Sequence, residues 1–154
     1  MPSHEPAEYE CPFCGFLAGR FTEYNDQEDM ICQNKLASAF VGPIAWQNNI
    51  GSVLVVPNTH YENIYSIPED DLVAITKLVK SVATAMRIAY GCQGTTILQR
   101  NEPAAGQHVW HLHFHVIPRY SGDEFKENEQ TLFVEAGVRA PFAQKLRGQL
   151  NLSA

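Results

Sequence analysis

Leu72, Ile75, Leu78, Val79, Val82, Met86 and Ala89 recur at three- and four-residue steps, so a helix through them carries one continuous apolar stripe. This predicts a single long helix over roughly residues 67 to 90. Ser66-Ile67-Pro68-Glu69 has the form of a capping box with proline in the first turn, and Gly91 supplies the stop. Such a stripe must be buried against something, and its flanks read as strands. Met30 to Gln33, Ala37 to Val41 (ending at Gly42-Pro43), Gly51 to Val56, Thr95 to Gln99 and His108 to Arg119 are short, apolar or alternating, and bounded by turn residues or proline. The pattern predicts an α+β fold, an antiparallel sheet of about five strands with the long helix packed on one face. Between these elements the sequence predicts a brief helix within Cys11 to Gly19, loops through Gln47 to Asn49 and Glu102 to Gly106, and a short helix over Pro141 to Leu150. One face of the sheet is left needing a purpose.

A chain of 154 residues is long enough to bury a core without covalent staples; its length predicts a single domain, over 11–154, and its first ten residues read as a solvated tail. The formal charge of −6 comes from the first 30 residues, where seven carboxylates face only Arg20; beyond Met30 the basic and acidic residues cancel. No basic stripe exists for a phosphate backbone, so a nucleic-acid polymer is not an expected partner. Nor is a membrane, because no run of eighteen apolar residues occurs. Met1 to Glu10 is polar and acidic, unlike a signal peptide, and the expected location is the cytosol. The four cysteines form one close pair, Cys11 and Cys14, and two separate thiols, Cys32 and Cys92, rather than a disulfide framework. A Cys-x-x-Cys pair in the cytosol reads as a redox pair, as two ordinary thiols, or as half a zinc site; the first would favour a thioredoxin-like βαβ context, which is absent.

The most informative stretch is His111-Leu112-His113-Phe114-His115-Val116-Ile117-Pro118-Arg119. In a strand, alternate residues share a face, so three imidazoles would line one side at roughly 6.6 Å intervals while Leu112, Phe114 and Val116 face the core. A lone histidine there would usually be a satisfied structural group. Three at strict period two repel if protonated and occupy positions that aliphatic residues would stabilise better, which favours a functional use. They would either bind a metal together or tune one of their number as a nucleophile. A metal site of this kind would want a carboxylate shortly downstream, and Val116-Ile117-Pro118-Arg119 offers none.

This pattern resembles the signature of the histidine triad (HIT) family of nucleotide hydrolases and transferases. The resemblance extends to Ala105-Gly106-Gln107, to Asn101, to the stretch from Gly51 to His60 and to Cys11-Pro12-Phe13-Cys14. It implies that His113 is the nucleophile on the α-phosphorus of a nucleotide. It further implies that His115 bonds the phosphate and helps the leaving group depart, and that Asn101 and Gln107 contact the phosphate without a catalytic metal. The products would be nucleoside monophosphates from phosphoramidates or dinucleoside polyphosphates; a transferase or phosphorylase, or a nucleotide-binding regulatory module, are the alternatives. In some relatives a structural zinc is held by Cys-x-x-Cys, by the histidine after the Val-Pro strand end and by the first triad histidine, which implies Cys11, Cys14, His60 and His111 here. Relatives are commonly homodimers. The chain departs from the pattern at Ser52, where many relatives have a fourth histidine, at Gly42 to Trp46, which lacks an acid or amide for the ribose, and at His108, where a serine or threonine is common.

Overall fold

The computed structural model describes residues 2–153. Its centre is a five-stranded sheet of β1 (Met30–Gln33), β2 (Ala37–Val41), β4 (Val53–Pro57), β6 (Phe114–Arg119) and β5 (Gly94–Gln99), in that order across the sheet, with every neighbouring pair antiparallel. The long helix α2 (Glu69–Tyr90) connects β4 to β5, and β6 then inserts between those two strands. The last strand to join therefore becomes a central one.

Alternation along the strands sorts side chains onto two faces. Ala37, Ala39, Val41, Val53, Val55 and Val116 pack with Ile75, Leu78, Val79, Val82, Ala85 and Met86 of α2. Phe40, Leu54 and Val56 point the other way, against Phe13 and Phe16 of α1 (Pro12–Leu17). Because both faces are covered, β2 and β4 are buried at every position, and this is why they read as unbroken apolar runs.

Four local features differ from the sequence expectation. Helix α2 starts at Glu69 with Pro68 as its cap and no capping side chain; Ser66 Oγ turns away and donates to the Asn63 carbonyl at 3.4 Å. Glu69, Asp70 and Asp71 in the first turn offset the helix dipole instead. Gly91 does end the helix, at φ 66°. Secondly, the strand expected over His108 to Arg119 forms only from Phe114. The ladder with β4 ends at the pair Val55–Phe114; two residues further along β4, Pro57 has no N–H to give, and its carbonyl accepts from the His111 ring at 2.9 Å.

Thirdly, the loop after Gly42 contains β3 (Ile44–Trp46), which pairs with β7 (Thr131–Phe133) in a separate two-stranded ribbon. Fourthly, the C-terminal helix α3 runs from Ala136 to Ser153 with Pro141 inside it, five residues earlier than a helix begun at that proline. Arg139 in this first turn is fully buried and forms a two-point pair with Asp29, 2.9 Å at each contact, while donating to the carbonyls of Glu23 and Val134. Helix α3 crosses the turn at Gly51, whose φ of 93° and the Phe142 ring, 2.6 Å from where a Cβ would stand, both require glycine. Among the described residues no helix is long and apolar enough to cross a membrane.

Candidate functional site

Two sites meet at the second face of the sheet, and α1 builds part of both. Cys11 caps α1, accepting from the Cys14 N–H at 3.4 Å, and Pro12 occupies the first turn, so the three-residue spacing brings both thiols to the same end of the helix. His60 follows the end of β4, and His111 precedes β6. Their atoms converge: Cys11 Sγ lies 3.3 Å from His111 Nδ1, Cys14 Sγ 3.3 Å from His60 Nδ1 and 3.5 Å from His111 Nδ1, and the two Nδ1 atoms are 3.2 Å apart. All four donor atoms fall within 4.8 Å of one another. A tetrahedron with ligands about 2.0–2.3 Å from its centre has edges of roughly 3.3–3.8 Å, which these separations fit.

The outer ring nitrogens explain why Nδ1 points inward. His111 Nε2 donates to the Pro57 carbonyl at 2.9 Å, and His60 Nε2 to Glu5 at 2.7 Å. With both N–H groups turned outward, the two Nδ1 lone pairs face each other, an arrangement that calls for a cation between them. Burial lowers His111 to about 4, so its ring is neutral, and burial together with Cys11 raises Cys14 to about 12, so without a cation that thiol keeps its proton. Residues 3–9 run alongside: Ser3 and His4 bond Glu62, His4 also pairs with Glu102 and stacks on Trp110, and Tyr9 Oη accepts from the Trp110 N–H.

The second site is the histidine row. Only His115 lies within β6, yet the alternation continues through the preceding loop: Leu112 and Val116 enter the helix-side core, while His111 and His113 meet Phe13 of α1 and His115 meets Trp46. His113 is 9% exposed and donates through Nδ1 to the His111 carbonyl at 2.7 Å, which leaves the Nε2 lone pair free. Its ring centroid is 5.1 Å from that of His115 and 5.3 Å from that of Phe13. Burial depresses the proton affinity of both, His115 to about 3, and the Arg100 charge adds to this at each. Both are neutral at pH 7.

The two rings open into a cleft of about 470 Å³. Pro43, Ile44, Trp46, Leu54 and Val109 form its apolar wall, and Arg100, His108, Glu127, Asn128 and Thr131 its polar rim. A second depression, of about 580 Å³ beside Leu36 and Val73, contains none of the histidines. The amides Asn101 and Gln107 do not line the histidine cleft. Gln107 donates to the carbonyls of Glu62 and Val109 and accepts from the Glu102 N–H, and Asn101 accepts from the Ile64 N–H and exchanges bonds with Gln99. These bonds fix the loop that carries the histidines. Ser52 is likewise structural, donating to the Asn49 carbonyl at 2.9 Å. Trp46, Arg100 and Glu127 are among the cleft residues that sequence reasoning missed. The first sits in a strand too short to read, and the other two meet only across the fold.

Residues 24–122 match the HIT domain. The chain belongs to the HIT family. An uncharacterised HIT-like protein of Methanocaldococcus jannaschii is 37% identical over 113 residues, covering 73% of this chain and 81% of that protein. Among solved HIT structures, a hypothetical histidine triad nucleotide-binding protein of Sulfolobus tokodaii superposes with a TM-score of 0.77 at 26% identity, covering 92% of this chain and 93% of its own. A zinc-bound histidine triad protein of Mycobacterium smegmatis shares the fold at a TM-score of 0.77 and 24% identity, over 93% of this chain and 94% of that one. Membership of the HIT family supports nucleotide hydrolase or transferase chemistry.

Proposed function

We propose that this protein hydrolyses nucleotides at the α-phosphate through a nucleotidyl intermediate on His113. The observation that carries the reading is the state of that ring: buried, neutral, tied through Nδ1–H to the His111 carbonyl, with Nε2 facing a cleft large enough for a nucleotide. Nε2 attacks phosphorus, the bond from phosphorus to the leaving group breaks, and the positive charge on the imidazole is shared with the His111 carbonyl through the existing hydrogen bond. Neutral His115 donates its ring N–H to a phosphate oxygen. Water then displaces the histidine and releases a nucleoside monophosphate. Asn101 and Gln107 serve this reading by holding the loop. The base and ribose lie against Trp46 and Ile44, where the cleft is apolar.

The test is acid quenching of the protein with α-labelled substrate. Label is retained on His113, and His113→Ala loses both label and turnover; turnover within about tenfold of the parent, roughly 1.4 kcal/mol in barrier, would overturn the assignment. Turnover that persists briefly in EDTA, and products unchanged by added phosphate, distinguish a metal-independent hydrolase from a phosphorylase.

The Cys11, Cys14, His60 and His111 cluster is proposed as a structural zinc site, closed by four protein ligands. Zinc there would tie α1 to the end of β4 and to the loop before β6, fixing the backbone from which His113 projects. The reading also includes a cytosolic homodimer. Strand β5 is an open edge of the sheet and exposes Ile97 at 46%, which offers a place for two sheets to join.

A further inference from the structure

Arg100 follows the last residue of β5, and its side chain is only 17% exposed in the wall of the histidine cleft. No other lysine or arginine lines that cleft among the described residues. Its charge reaches both His113 and His115, lowering the proton affinity of each. Among the described residues the guanidinium has one counter-ion, Glu127, held by one contact of 3.0 Å between Nη2 and Oε1. Glu127 is anchored by its backbone, whose carbonyl accepts from Trp46 Nε1 at 3.0 Å, while its side chain is 47% exposed. A half-buried fork of five N–H donors is thus paired at one point with a carboxylate whose side chain is exposed to solvent. Single-point pairs with an exposed partner are weak, whereas a phosphate or sulfate meets a guanidinium through two parallel, charge-assisted bonds. An anion in the cleft would therefore displace Glu127.

The position of the cation says which anion this is. If the α-phosphate sits at His113 Nε2, with His115 beside it, a fixed charge elsewhere on the same wall meets the next group along the substrate. We propose that Arg100 is a specificity residue for leaving groups that carry negative charge, and that Glu127 holds the guanidinium in place until the substrate anion replaces it. This rests on the α-phosphate reading above. It selects anhydrides, in which the leaving group is a phosphate or a sulfate, over phosphoramidates, whose leaving amine has no anion for Arg100.

The experiment compares kcat/KM for diadenosine triphosphate, adenosine 5′-phosphosulfate and adenosine 5′-phosphoramidate in the parent, Arg100→Gln and Glu127→Gln proteins. Arg100→Gln lowers the value for the anhydrides by about 10- to 100-fold and leaves the phosphoramidate within about threefold, as expected for loss of a charge-assisted contact made by only one substrate class. Glu127→Gln raises the anhydride values by about two- to fivefold, since it removes the competitor. A larger effect on the triphosphate than on the phosphosulfate marks phosphate as the preferred leaving group, and the reverse marks sulfate. An equal fall for all three substrates in Arg100→Gln, or the same loss in Glu127→Gln, means that the pair only braces the rim, and overturns the proposal. Calorimetric binding of ADP and AMP keeps this independent of the chemistry. Arg100→Gln erases the advantage of ADP over AMP if the subsite exists, even where the parent protein forms no label on His113; an undiminished advantage overturns the proposal while the labelling result still judges the nucleophile separately.

Discussion

A histidine that is to attack phosphorus must keep its lone pair at working pH, and burial secures this at His113 and His115. The same burial has a thermodynamic consequence. In the unfolded chain both rings take up protons near pH 6.5, whereas in the folded protein His115 does so only near 3 and His113 below its ordinary value. Between these limits the unfolded state binds more protons, so stability is full above pH 6.5 and falls steadily as the pH drops towards 3. Each such group contributes a slope of at most about 1.4 kcal/mol per pH unit. Urea unfolding from pH 7.5 to 5 should show this fall, with a visibly shallower slope in His115→Gln; identical slopes would show that His115 does not titrate in this way. At this scale the row of three histidine rings was legible, because period-two spacing needs only neighbours along the chain. Arg100 and Trp46 were not, since what each does depends on a partner more than twenty residues away. Gln107 shows a mixed case, an amide bonded locally to Glu102 and Val109 and also to the carbonyl of Glu62, 45 positions earlier.

Elements that rest on local pattern were read well, and elements that rest on one distant contact were not. The stripe of α2 and the apolar runs of β2 and β4 are written in consecutive residues. The start of α3 is set instead by Arg139 reaching Asp29, 110 positions earlier, which overrides the usual preference of proline for a helix start. Strand β6 begins late, its pairing with β4 ending at Val55 and Phe114 two residues short of Pro57, and β3 and β7 are three residues each. The Arg139–Asp29 pair is fully buried, so breaking it leaves an unpaired charge inside the protein. Asp29→Ala should lower unfolding stability by about 3–5 kcal/mol in urea denaturation, and removing both partners together, as Asp29→Ala with Arg139→Met, should be less damaging than the two single losses added. Strict additivity would mean that the two groups act independently.

At the scale of the whole molecule, the antiparallel α+β architecture and the convergence of Cys11, Cys14, His60 and His111 from distant parts of the chain were both legible, the second through family resemblance rather than spacing. The cluster draws together α1, the end of β4 and the loop before β6, so a metal there acts as a cross-link across the second face of the sheet. Purified protein should carry about one zinc per chain by elemental analysis, and both chelation and Cys14→Ala should lower the melting temperature while molecules that stay folded still label at His113. A metal-free native protein, or zinc content unchanged when both cysteines are replaced, would leave His111 as an orienting partner only. The buried ion pair carries a different implication, for the order in which the protein is made. Asp29 leaves the ribosome 110 residues ahead of Arg139, a delay on the order of ten seconds at usual rates of synthesis. Throughout that interval the first half of the sheet has a carboxylate that it cannot bury without a partner. Completion of the fold is therefore tied to the arrival of the C-terminal helix, and a nascent chain halted before residue 139 would remain open to chaperones and proteases.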